Sequence, residues 1–151
     1  MKKVKSVPEG FHTVTPYLVV DKADELIEFI TKAFKGEETF MHRTDDDRVQ
    51  HATVTIGDST IMISDTMIDM KPELAMLYLY VDDVDSMYQN AIQAKAESIQ
   101  EPRDMFYGDR TSCVRDRWGN KWWIATHIED VNPDELDRRA ATQGRQQEMA
   151  H

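Results

Sequence analysis

Five histidines, one cysteine and a surplus of carboxylates are the chemical means of this chain. A metal site built from these histidines would need at least two of them to converge with a carboxylate. A general base needs an imidazole within hydrogen-bond reach of the proton it takes. His12 and His151 lie near the ends of the chain, and His42 and His127 fall in or beside strand-like runs. His51 is the candidate base, because it sits in the middle of "VQHATVTIG" with Asp65 closing the next run, "TIMISD". It can equally be a structural histidine hydrogen-bonded beside a sheet. The single Cys113 excludes an internal disulfide and a cysteine-rich zinc site. Within "TSCVRD" it reads as a buried, inert thiol rather than a nucleophile. Asp45, Asp46 and Asp47 read as a solvated hairpin tip rather than a cation site.

Two further stretches offer binding chemistry. In "FYGDR", Arg110 presents a planar fork for a carboxylate or phosphate, Tyr107 a hydroxyl, and Gly108 a sharp turn between them. The alternative is that Arg110 pairs internally with Asp109 or Asp116 and fixes the loop. In "KWWIATHI", Trp122 and Trp123 are consecutive on a strand and must point to opposite faces, so only one can line a cavity.

The elements that position these residues are legible from periodicity. The alternation of "HTVTPYLVV" predicts a strand over residues 13–20, interrupted or edged by Pro16. Asp21 has the character of a helix N-cap. Ala23, Leu26, Ile27, Ile30, Ala33 and Phe34 then follow at helical spacing up to Gly36. "ETFMHRT", "VQHATVTIG" and "TIMISD" predict three strands. After a looser stretch over 66–73, "AMLYLYV", a helix capped by Asp82 or Asp83, and the strands "ESIQEP", "DRTSCVRD" and "KWWIATHI" repeat the order. Tyr17, Leu18, Val20, Asp21 and Asp24 recur as Tyr78, Leu79, Val81, Asp82 and Asp85, an offset of 61 residues. At the other end of each unit, Gly57 aligns with Gly119 at an offset of 62. The pattern is strand–helix–three strands written twice, over about 11–65 and 75–128, within one domain ending near residue 131. From Asn132, "NPDEL" opens a short polar helix, with fraying expected beyond Gly144.

With "TPYLVV", "QHATVTIGDSTIMISD", "YLYVDDVD", "YGDR" and "DRWGNKWWIATH" in place, the chain resembles the vicinal-oxygen-chelate superfamily of glyoxalases, extradiol dioxygenases and bleomycin- or fosfomycin-resistance proteins, and within it the PhnB-like branch. The resemblance covers about residues 11–131. It implies an α+β fold of two βαβββ modules whose mixed sheets curl around a shared cavity. Asp116-Arg117-Trp118-Gly119 replaces the family's usual proline-containing turn, while Gly119 keeps the permissive backbone. In metal-using relatives, each module supplies one ligand from its first strand and one from its last. Here those positions fall on Thr15, Met76, Trp123 and Ile61, with a one-residue slip putting Met62 in place of Ile61. A hydroxyl, a thioether, an indole and an alkyl group do not replace imidazole and carboxylate around a divalent ion. No metal and no cofactor are therefore expected.

If Thr15, Ile61, Met76 and Trp123 face inward, the cavity is apolar and aromatic, suited to a flat or hydrophobic small molecule, and to an anionic one if Arg110 stands at its mouth. An enzyme of the same superfamily, an isomerase, lyase or dioxygenase-like protein using His51 as base or a displaced metal site, is the alternative. An interaction protein is a third. A net charge of −10 disfavours nucleic acid and anionic membranes. The absence of a long apolar run or a signal-like N-terminus points to the cytoplasm. The resemblance implies a homodimer.

Overall fold

Each half of the chain folds as a strand, a helix and three strands in a computed structural model that describes residues 3–149, with side chains described as far as Gly144. His151 lies outside the described residues. The first half comprises β1 (Tyr17–Val20), α1 (Ala23–Phe34), β2 (Glu37–Arg43), β3 (Val49–Ile56) and β4 (Ser59–Asp65). The second comprises β5 (Met76–Tyr80), α2 (Val84–Gln93), β6 (Glu97–Asp104), β7 (Asp109–Arg115) and β8 (Lys121–His127), and α3 (Pro133–Met149) follows. The sheets are ordered β1-β4-β3-β2 and β5-β8-β7-β6. In each, the first strand pairs in parallel with the last and the remaining pairs are antiparallel. This is an α+β fold of two βαβββ modules, and the two sheets stay separate instead of closing.

The expected strand over 13–20 is shorter. Pro16 has no N–H to donate, so β1 begins at Tyr17, although the Pro16 carbonyl still accepts from Met62 N at 2.9 Å. The predicted cap of α1 also differs. The chain enters α1 through Lys22 in a left-handed conformation, with no side-chain cap. The buried carboxylate of Asp65 does that work from the end of β4, accepting from Ala23 N at 2.8 Å and Val49 N at 2.7 Å. In the second module Asp83 accepts from Ser86 N at 3.2 Å, and Thr126 Oγ1 accepts from Val84 N at 2.9 Å.

The helices pack on one face of each sheet and against each other. Leu18, Val54 and Ile63 of the first sheet and Val114, Trp122 and Ile124 of the second belong to a single buried cluster with α1 and α2. Trp122 is fully buried and joins the modules, its ring centroid 4.8 Å from Phe34 and 6.4 Å from Phe29 of α1. α3 is longer than the sequence predicts and runs through Gly144. A glycine inside a helix costs only about 1 kcal/mol, and the Arg and Gln residues around it favour the helix. Arg139 ties α3 down, donating to Glu129 at 2.6 Å and to the Phe106 carbonyl at 3.1 Å.

Candidate functional site

Burying one face of each sheet against the helices leaves the other face open, and period-two alternation decides what it carries. On the second sheet, Val114, Trp122 and Ile124 point into the core. Met76, Tyr78, Trp123 and His127 therefore point away from it. Tyr78 and Trp123 are register partners across β5 and β8, with ring planes 20° apart and centroids 6.3 Å apart. Tyr80 continues the aromatic surface, 5.2 Å from Tyr78 between centroids. Met76, Leu77, Tyr78, Tyr107 and Trp123 line a cavity of about 240 Å³.

Tyr107 reaches this cavity from a loop that is pinned at the next residue, Gly108. The Gly108 carbonyl accepts from Ile128 N at 2.8 Å and Glu129 N at 3.1 Å. Gly108 has φ +100, and a Cβ there would lie 2.1 Å from the Glu129 carbonyl oxygen. Only glycine allows that approach.

Asp109, which follows this turn, is nearly fully buried and gathers a polar cluster at one end of the aromatic face. Its Oδ2 accepts from Tyr78 at 2.7 Å and Tyr80 at 2.9 Å, and its Oδ1 lies 2.8 Å from His127 Nδ1. Burial alone would raise its carboxyl, but these hydrogen bonds outweigh burial and hold it below the usual range. Burial and then the Asp109 contact push the Tyr78 hydroxyl up; the Asp109 contact does most of the same to Tyr80. Both phenols are thus fixed as protonated donors. His127 is raised by Asp109 and by Asp130, 2.7 Å from Nε2.

The other residues singled out in the sequence are dispersed. His51 lies on the open face of the first sheet, its Nδ1 3.1 Å from the Tyr17 hydroxyl and its ring 6.1 Å from Phe40. Thr15 lies before β1, with its hydroxyl 3.5 Å from the His12 carbonyl. Ile61 does not face a cavity: it is 4% exposed within the core. The ladder explains why. Tyr17 pairs with Met62 as Tyr78 pairs with Trp123, so the offset is 61 at both ends, and Met62 is the counterpart of Trp123. Arg110 is not at the cavity mouth. It points to the helix side, where it grips Asp85 of α2 through two hydrogen bonds of 2.9 Å and Asp104 through one of 3.0 Å. The internal pairing considered from sequence is made, but with different aspartates from Asp109 and Asp116.

With the register settled, the four positions that carry ligands in metal-using relatives hold Thr15, Met62, Met76 and Trp123. One hydroxyl, two thioethers and an indole N–H do not fit a hard or borderline divalent ion. Among the described residues, no group of three or more His, Cys, Asp or Glu side chains is placed to hold a metal ion.

No local sequence pattern marks Tyr78, Leu77, Asp109 and His127 as site residues. The alternation that puts Trp123 on one face puts Tyr78 beside it once the parallel pairing is known. The joining of Asp109 to His127 depends on cross-strand register, which no local pattern encodes.

Residues 10–124 match the family described as Glyoxalase/Bleomycin resistance protein/Dioxygenase superfamily. The Mycobacterium bovis protein Mb0911c is 31% identical over 142 residues, covering 87% of this chain and 93% of that protein. Among solved structures, TioX from Micromonospora sp. ML1 superposes with a TM-score of 0.62 at 19% identity, over 76% of this chain and 99% of its own. A PhnB protein from Bacillus cereus gives 0.63 at 19% identity, with the same coverage. At such identity these two show the fold. No helix among the described residues is long and apolar enough to cross a membrane.

Proposed function

This chain belongs to the Glyoxalase/Bleomycin resistance protein/Dioxygenase superfamily, and we propose that within it the protein is a metal-free binder of small, flat, hydrophobic or aromatic molecules, of the sequestering or resistance type. The supporting observation is the cavity over Tyr78 and Trp123. Its walls are two nearly parallel aromatic rings, a third ring from Tyr107, a thioether and an alkyl group. Such a surface gains from burial and from offset stacking, about 0.5–1.5 kcal/mol per aromatic pair beyond area alone. Binding is favoured over turnover because none of the five lining residues is a carboxylate, an imidazole or a thiol. The placement nearest the PhnB-like branch, a cytoplasmic address and a homodimeric state belong to the same proposal. They draw on the sequence motifs, on the charge, and on the open sheet faces.

Trp123→Ala tests the reading. The protein is titrated with planar aromatic compounds followed by calorimetry, and Trp123→Ala is expected to weaken the best of them at least about tenfold. Cys113→Ser, a change at a buried thiol that does not line the cavity, serves as the folded control. Affinity unchanged by Trp123→Ala would place the ligand elsewhere. Metal analysis of protein purified without chelator accompanies this titration, and a stoichiometric divalent ion would overturn the metal-free part.

A further inference from the structure

We propose that Arg115 and Lys121 form an anion subsite beside the aromatic cavity, so that the favoured ligands are flat aromatic acids. This inference rests on reading the cavity as an aromatic site, and adds the group that selects among aromatic compounds.

The open face of the second sheet is ordered in rows by the ladder. β7 and β8 pair Arg115 with Lys121, Cys113 with Trp123, Thr111 with Ala125 and Asp109 with His127. β5 adds Met76 beside Lys121 and Tyr78 beside Trp123. Two residues along a strand is about 7 Å, so Lys121 stands on the same face as Trp123 within reach of a ligand stacked there. The electrostatics agree with this placement. Burial pushes the Cys113 thiol up, and the Lys121 and Arg115 charges pull it part of the way back.

Opposed side chains on antiparallel strands have Cβ atoms about 4.5–5.5 Å apart, and like charges at that spacing destabilise the sheet. The conflict is not forced by a shortage of carboxylates, since the chain holds 28 acidic residues against 18 basic ones. Six other arginines among the described residues pair with a carboxylate. Arg115 and Lys121 form no ion pair among the described residues. Glu97 is Arg115's register partner on β6, yet it too lies outside ion-pair distance. A bound carboxylate between the two cations removes the repulsion and is held by charge-assisted hydrogen bonds. The cations are therefore complementary to a ligand instead of to the protein's own acids. Arg110, with its fork engaged by Asp85 and Asp104, leaves this role open.

The test compares 2-naphthoate with its neutral isostere naphthalene-2-carboxamide, by calorimetry, on wild type, Arg115→Gln, Lys121→Gln and the double variant. Wild type is expected to bind the acid about tenfold more tightly than the amide, a preference that each single change reduces and the double change abolishes. Amide affinity stays within twofold throughout. The ligand-free variants are expected to melt at or above the wild-type temperature, because the opposed charges are relieved; a purely structural role would lower it. Equal affinity for acid and amide in wild type, or a preference that survives the double change, overturns the subsite and leaves the aromatic reading standing. Failure of wild type to bind either compound, or any other planar arene, overturns both.

Discussion

At the scale of single residues, the charge of His127 follows from its partners. Both are carboxylates, Asp109 at 2.8 Å and Asp130 at 2.7 Å, and a carboxylate only accepts. The contacts favour the imidazolium, the form in which both ring nitrogens donate. Its raised pKa means that its stabilisation is fully present below the unfolded value near 6.5 and is lost as pH rises through the folded value. Asp109 has the opposite sense. Its pKa is lowered, so its contribution is present above 3.8 and is lost as pH falls through the folded value. The two are halves of one contact, and the window in which both contributions are fully present lies between the unfolded values, at roughly pH 4 to 6.5. The melting temperature of wild type minus that of His127→Gln is expected to be largest inside this window and to shrink on either side. A difference independent of pH would show that the charge of the ring adds nothing. The contact holds the Asp109 carboxylate that in turn orients Tyr78, so the same variant is expected to loosen the wall of the cavity.

At the scale of elements, the repeated text in the sequence proves to encode clamps between helix and sheet. Asp24 and Asp85, the paired acids of the repeat, each take a bidentate arginine, Arg43 in the first module and Arg110 in the second. Alternation and helical spacing made the eight strands and both module helices legible, because apolar periodicity is set by which face is buried. The cap of α1 was not legible. Asp21 has the right local character, but Asp65, 44 positions later, supplies the carboxylate. The site was only partly legible, for a reason of register. Gly57 immediately follows β3, whereas Gly119 is the fourth residue after β7, inside the longer turn built around Asp116. Aligning glycine with glycine shifts the last strand by one residue, and one residue in a strand exchanges faces. That is how Ile61, a core residue, came to be matched with Trp123. The cap makes a direct test. Asp65→Ala strands two backbone N–H groups at a buried junction and is expected to cost about 2–4 kcal/mol in urea unfolding. Asp21→Ala, at an exposed position with no capping bond, is expected to stay within about 0.5 kcal/mol. The reverse order would return the cap to Asp21.

For the molecule as a whole, the decisive arrangement is the single core between the modules. Because Trp122 packs on α1 and the two helices pack together, both sheets turn their helix-covered faces inward and their aromatic faces outward. Within one chain the open faces therefore do not enclose a common cavity: the pocket is lined from the second module alone. Large apolar side chains stay exposed on both open faces, Tyr17 at 37% and Phe40 at 53% on the first, Tyr80 at 64% and Met76 at 68% on the second. Exposed large apolar side chains grouped on one sheet face suit an interaction face. In the homodimer proposed above, the first-sheet face of one chain would close over the second-sheet face of the other, and one two-fold axis would generate two such contacts. Wild type is expected to sediment as a dimer. Phe40→Glu places a charge on the first-sheet face, remote from the pocket lining, and is expected to yield a monomer with unchanged far-ultraviolet dichroism. If the partner's first sheet completes the pocket, the same variant also weakens aromatic binding although the pocket residues are intact. A wild-type monomer at every concentration up to its solubility limit would sink the dimer. A dimer that survives Phe40→Glu with full affinity would move the interface off these faces.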